Sequence, residues 1–254
     1  MRNYLTFGTI DTRDYGVYIS GNKRHRIPQR PYEIAQAPGH LGDLVVGGDY
    51  LRNEDILYPA FMAPVNGTYG NYATYEEAIS AFRNALLSTN GYATLTDTYD
   101  TTHYRKAVFT GPVDIGTNEK LDAGNFEIFF SVKPQRYIVG GDTPVNIAAD
   151  TGELIATYGR RSAPFIEVTG TGSFFFNAGQ FGGARILQNT STIIIDSERK
   201  TTYYSDFAPG ASNYVQLEDY AYPYINKPFG MVYPQFSAVA NGCSLSIVFN
   251  WYEL

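Results

Sequence analysis

From residue 141 onward, turn-forming residues recur roughly every eight to twelve positions with no helical period between them, a spacing that restricts the segment to an antiparallel sandwich or barrel. The candidate strands are residues 164–169, 173–178, 184–188, 193–196, 201–204, 214–217 and 244–252. The last alternates most cleanly: Leu245, Ile247, Phe249 and Trp251 fall on one face, and Ser244, Ser246 and Asn250 on the other. Residues 192–204 join a β-branched run to a second β-prone run through a polar turn, which predicts a hairpin with a charged tip from Asp196 to Lys200.

The preceding residues contain one helical pattern among further strands. Tyr75, Ala78, Ile79, Phe82 and Leu86 recur at helical spacing and predict a helix over 74–88 with one apolar face docked on a sheet. Thr74 and Glu77 form a capping box at its start, and Asn90 with Gly91 supplies the stop. Strands are predicted at 44–50, 56–62, 92–96, 104–113 and 125–133, with 51–55 as a charged turn. In the last strand Phe126, Ile128, Phe130 and Val132 share one face, while Glu127, Ser131 and Lys133 share the other. A strand at 15–19 ends at Ser20, Gly21 and Asn22, and 26–34 can return as its partner, giving a hairpin with a basic tip. Gly140, Gly141, Asp142, Thr143 and Pro144 read as a connection, so the expected domains are 1–140 and 141–254. The fold class is mainly β, with the helix confined to the first domain.

Composition bears chiefly on what the chain binds. With a formal charge of −6 there is no broad cationic field for a phosphate backbone, and the run Lys23, Arg24, His25, Arg26 reads as a basic hairpin tip. The single cysteine, Cys243, excludes an internal disulfide and a cysteine zinc site, and is expected to be buried. The N-terminal residues lack the apolar core of a signal peptide, and no window reaches the length of a membrane span, so synthesis and folding in the cytoplasm are expected.

Nothing in the chain assembles into a recognisable catalytic set, so the expectation is a protein that is not an enzyme and uses no cofactor and no metal. The nearest approach to a ligand cluster is Asp97, Asp100 and His103, which on a loop between strands reads as turn chemistry. Gly170, Thr171 and Gly172 resemble the start of a dinucleotide loop, but Ser173, Phe174 and Phe175 continue as strand where a helix would be needed. The carboxylate pairs Glu153 with Glu167 and Asp196 with Glu198 are formally open to glycoside hydrolysis; solvated strand ends account for them more simply. The aromatic cluster Tyr214, Tyr220, Tyr222, Tyr224 and Phe229 reads as a loop packed on its own sandwich, with a partner or sugar contact as the second reading.

Several segments, taken in order, resemble the distal tail protein (Dit) family of siphophages. Asp11, Thr12, Arg13, Asp14, Tyr15, Gly16, Val17, Tyr18 and Ile19 look like that family's opening strand. Pro38, Gly39, His40, Leu41, Gly42 and Asp43 look like its Pro-Gly-Arg-x-Gly loop, with His40 where Arg is usual. Residues 123–130, with Lys133, Pro134, Gln135, Arg136 and Tyr137, are similar to its closing strand. Ile195, Asp196, Ser197, Glu198, Tyr203 and the terminal Trp251, Tyr252, Glu253 and Leu254 look like its C-terminal domain.

The resemblance implies a β-sandwich first domain with one helix and a galectin-like β-sandwich second domain. It implies a homo-hexameric ring that joins the tail tube protein to a tail tip or tail-associated lysin protein. Receptor-binding or baseplate proteins would attach to it, DNA would pass through the channel without specific binding, and no membrane would be engaged. The expected location is the tail tip of the virion. Ring closure needs two different patches per subunit. Within the glycine-rich loop 38–50 and the tyrosine-rich segment 58–75, the candidates are Pro38, Gly39, His40, Tyr50, Tyr58 and Tyr72. The alternative function is carbohydrate binding by the second sandwich, for which Tyr220, Tyr222 and Tyr224 are the candidate contacts.

Overall fold

The computed structural model describes residues 2–21, 23–25, 28–36, 42–47, 50–111, 116–118, 123–156, 160–177, 185–187, 192–205, 225 and 235–254. The chain is mainly β and divides into two compact units, Met1–Arg136 (with Leu254) and Tyr137–Glu253.

The first unit contains β1 (Leu5–Phe7), β2 (Ile10–Asp11), β3 (Val17–Ile19), β4 (Arg24–His25), β5 (Tyr32–Ala35), β6 (Leu44–Gly47), β7 (Glu54–Met62), α1 (Tyr75–Ser88), β8 (Ala93–Asp97), β9 (Asp100–Phe109), β10 (Gly116–Asn118) and β11 (Ala123–Val132). Its main sheet runs β2-β1-β8-β9-β11-β7-β3, with β10 on β11 and β4 on β7. The alternation in β11 decides which face is inside: Phe126, Ile128, Phe130 and Val132 are buried, and Glu127 is exposed. They join Ile56, Tyr58, Ala60 and Met62 of β7 in one core cluster.

Helix α1 closes that cluster with Tyr75, Ala78, Phe82 and Leu86, four of the five residues its periodicity singled out; the fifth, Ile79, is half-buried against it. The Phe82 ring lies 6.3 Å from that of Phe126 and 5.4 Å from that of Tyr15. Thr74 caps the helix, its hydroxyl accepting from the Glu77 N–H at 3.4 Å. At the other end Thr89 turns extended, and the Ser88 and Thr89 hydroxyls both donate to the Ala85 carbonyl.

Among the described residues, the pairing expected between 15–19 and 26–34 does not form. Strand β3 pairs instead with Ala60, Phe61 and Met62, and β4 pairs with Ile56 and Leu57, so both lie along one edge of β7. Pro59 is tolerated inside β7 for this reason. Its carbonyl accepts from the Ser20 N–H at 2.7 Å, so its missing N–H faces the gap where β3 ends and β4 has not begun.

The second unit is built on two long strands. Its elements are β12 (Arg136–Ile138), whose first residue belongs to the first unit, then β13 (Val145–Ile147), β14 (Gly152–Ala156), β15 (Phe165–Asn177), β16 (Arg185–Leu187), β17 (Ile193–Asp196), β18 (Thr201–Tyr204), β19 (Gln235–Val248) and β20 (Tyr252–Glu253). Strands β15 and β19 pair along almost their whole lengths, with a register shift between Gly170 and Ser173. On one side of the shift they carry β13, β17 and β18; on the other they carry β14 and β16. One bent ribbon thus organises two groups of strands around a common core of Ile166, Val168, Phe174, Ala238, Leu245 and Ile247. The expected hairpin at 192–204 is β17–β18, with Ile193 and Ile195 inward and Glu198, Arg199 and Lys200 exposed at its tip. Cys243 is buried at the bend.

Candidate assembly surface

Strands β5 and β6 form a two-stranded sheet of their own, with Tyr32 opposite Gly47, Glu33 opposite Val46, Ile34 opposite Val45 and Ala35 opposite Leu44. Directly opposed residues share a face, so Tyr32, Ile34 and Val45 lie on one side and Ala35, Leu44 and Val46 on the other. Both sides face solvent: Ile34 is 62% exposed, Val45 67% and Val46 55%. The base is closed by the Arg52 N–H donating to the Gln29 carbonyl at 2.9 Å. An isolated two-stranded hairpin is marginal in water. One that exposes Tyr32, Ile34 and Val45 on one face, and Leu44 and Val46 beside Glu33 on the other, has largely the composition of a buried element and the exposure of a surface one, which makes it a candidate interaction surface.

The sequence candidates are distributed unevenly around this hairpin. Tyr50 lies beside it and is 62% exposed. Tyr72 is half-buried, its ring stacked on Tyr15 at 5.7 Å. Tyr58 requires a correction: its side chain is in the core and its hydroxyl donates to Asp97 Oδ2 at 2.5 Å, so it is unavailable to a neighbour. Burial, followed by the adjacent Asp97 carboxylate, holds the Tyr58 hydroxyl well above the usual tyrosine range. Pro38, Gly39 and His40, and the glycan candidates Tyr220, Tyr222 and Tyr224, lie outside the described residues. Val45 and Val46 fall within the glycine-rich stretch 38–50 expected to supply one patch, whereas Tyr32 and Ile34 fall in the segment expected to pair with 15–19. Two adjacent apolar strand segments with no amphipathic alternation were the available signal.

The polar run after β8 is structural. Asp97 Oδ1 accepts from the backbone N–H groups of Tyr99 and Asp100 at 2.9 and 3.0 Å, the turn chemistry its type predicts, while Oδ2 also meets Lys23 at 2.5 Å. Asp100 Oδ2 accepts from Arg136 at 2.7 Å, and Oδ1 takes the Thr102 hydroxyl at 2.8 Å and lies 3.1 Å from His103 Nδ1. The carboxylates are therefore occupied by cations and turn donors. Among the described residues no group of three or more His, Cys, Asp or Glu side chains is arranged to hold a metal ion.

Asp100 makes stability depend on acid. Burial raises its pKa, but hydrogen bonds from Arg136, Thr102 and His103 outweigh that, leaving it well below the usual carboxylate range. A depressed folded-state pKa contributes stability that is present above the unfolded value and lost as pH falls below about 4. Asp100→Asn is therefore expected to flatten the loss of stability between about pH 4 and pH 2, read as the denaturation midpoint at each pH. An unchanged acid slope would show that the contact carries no such dependence.

No family model matches the sequence, and no curated protein matches it. Solved structures do match. Two are structures of the phage P2 baseplate in its activated conformation, with calcium and with strontium, at TM-score 0.47 and 14% and 13% identity, each covering 97% of both chains. Another is the crystal structure of the SPP1 Dit (gp 19.1) protein, described as a paradigm of the hub adsorption apparatus in phages that infect Gram-positive hosts. It aligns over 100% of this chain and 99% of its own, with TM-score 0.66 and 12% identity. A likeness of that extent at so low an identity is one of fold, and the chain has the fold of the SPP1 distal tail protein along its whole length.

Proposed function

We propose that this protein is a structural component of a phage tail, forming a homo-hexameric ring that joins the tail tube to the tip or baseplate and carries host-adsorption proteins. The observation that carries the reading is the β5–β6 hairpin, whose two largely apolar faces are exposed and whose edges pair with no third strand among the described residues. A second copy of the chain is the partner always present at matching concentration, and a contact between unlike patches builds a ring when its rotation closes after six copies. The whole-length fold likeness to a hub protein of an adsorption apparatus supports the same assignment. In this reading the chain is not an enzyme, the second unit is a galectin-like docking domain, and DNA passes through the ring without specific contacts. Its place is the tail tip.

The test is the mass of the purified protein. Six chains of 28.2 kDa give a particle of about 169 kDa by light scattering, with six-fold rings in negative stain. A 28.2 kDa species at high concentration would overturn the reading. Ile34→Asp combined with Val45→Asp is expected to release monomers with an unchanged circular dichroism spectrum, because the change removes apolar surface outside both cores. Retention of the ring by that variant would remove the hairpin from the interface.

A further inference from the structure

The first unit has a second apolar surface that its own core does not use. From its third residue strand β7 reads Ile56, Leu57, Tyr58, Pro59, Ala60, Phe61, Met62, apolar at every one of these positions, where a sheet with one solvated face would alternate. The even-numbered set is buried in the core. Leu57, Pro59 and Phe61 point the other way and are only half-covered, and β11 places Phe129 opposite Leu57 and Glu127 opposite Pro59. Leu57, Pro59, Glu127 and Phe129 floor an open groove of about 990 Å³ on the face away from α1, while the Phe61 ring packs beside it against Tyr18 at 5.7 Å. Arg24 stands at its side, and Glu127 is exposed within it. The groove follows β7 from Asp55 to Ala60, roughly 17–20 Å at strand rise, against roughly 13 Å for each four-residue strand of the hairpin.

We propose that this groove receives the β5–β6 hairpin of a second copy of the chain. Each surface is apolar, each lacks a cover in its own chain among the described residues, and the two differ. A contact between them is therefore heterologous, one outgoing and one incoming per subunit, as a closed ring requires. The charges complement one another: the hairpin presents Glu33 and its base presents Arg52, against Arg24 and Glu127 of the groove. The inference rests on the ring reading and adds to it the receiving face.

The experiment places a photo-reactive phenylalanine analogue at Tyr32 of the full chain and mixes it with isotope-labelled unmodified chain before irradiation. Cross-linked peptides are then identified by mass, with light scattering run on the unmodified protein in parallel. The expected product joins the modified light peptide to labelled peptides containing Leu57 to Phe61 or Asn125 to Phe130. Cross-links between copies that land elsewhere overturn the groove assignment and leave the ring standing. Cross-links confined to one copy, in a protein that scatters as a multimer, do the same. A monomer without cross-links between copies removes both. As an independent check, Leu57→Lys is expected to raise the ring's dissociation concentration about a hundredfold, by burying an unpaired charge at the contact. An unchanged dissociation concentration overturns the groove assignment.

Discussion

Glu54→Ala is expected to cost about 3–5 kcal/mol of stability, among the largest effects of any single side chain in the first unit. Glu54 opens β7 on the core side and Arg105 lies on β9; their side chains are 5% and 12% exposed and form an ion pair. Burial, reinforced by the neighbouring Arg136 guanidinium, pulls Arg105 down to about 10, which still leaves it charged at neutral pH. Removing the carboxylate therefore strands a buried cation. Replacing both partners with apolar residues does not, so Glu54→Leu with Arg105→Met is expected to regain most of the loss. Denaturant midpoints of the parent, the two single variants and the double variant give the coupling directly. A single variant within about 1 kcal/mol of the parent would show that water already reaches the pair.

That ion pair also illustrates what periodicity can and cannot convey. The buried faces of α1 and β11 were legible because each core position is repeated by its neighbours at fixed spacing. Residues 51–55 read as a charged turn, yet Glu54 is the first buried residue of β7, because its partner is supplied from β9, far away in sequence. The same limit explains the hairpins. β17–β18 was recognisable because turn and strands are contiguous. The partners of β3 and β4 were not, since both are chosen by the edge of β7 and not by the intervening turn. As for the candidate site, Tyr50 fell where an exposed residue was expected, and Tyr58 did not. A tyrosine in a period-two apolar run is indistinguishable by type from a core residue, and only strand pairing decides which face it takes. The expected boundary at 140 lies a few residues beyond the division between Arg136 and Tyr137, because the glycine-rich turn follows the change of unit instead of marking it.

The second unit hid its longest strand by the same logic, and the reason leads to the other large effect. In β19 Ala238 and Ala240 are buried, then Cys243, Leu245 and Ile247, so the inward parity changes at Asn241 and Gly242. The register shift there sets Thr171 and Gly172 of β15 against Gly242 alone, the alternation of β19 reverses across it, and unbroken period two is visible only in the half after it. The bend is held by glycines: Gly170 and Gly242 have φ of 103° and 77°. Gly172 has no room for a side chain, since a Cβ there would lie 1.9 Å from the Asn241 carbonyl oxygen and 3.0 Å from the Cys243 nitrogen. Both obstacles are backbone atoms of the paired strand, so no rotamer change relieves them. Gly172→Ala is therefore expected to push β15 and β19 apart at the one place where each passes between the two groups of strands. A cost of about 3 kcal/mol or more follows, at or above the upper end of ordinary overpacking, because relief requires backbone movement. The loss should be local to the second unit. Hydrogen exchange is expected to quicken at the amides of β15 and β19 while those of β7 and β11 keep their protection. Protection retained across Gly170 to Ser173 in the variant would mean that the ribbon can bend without that close approach.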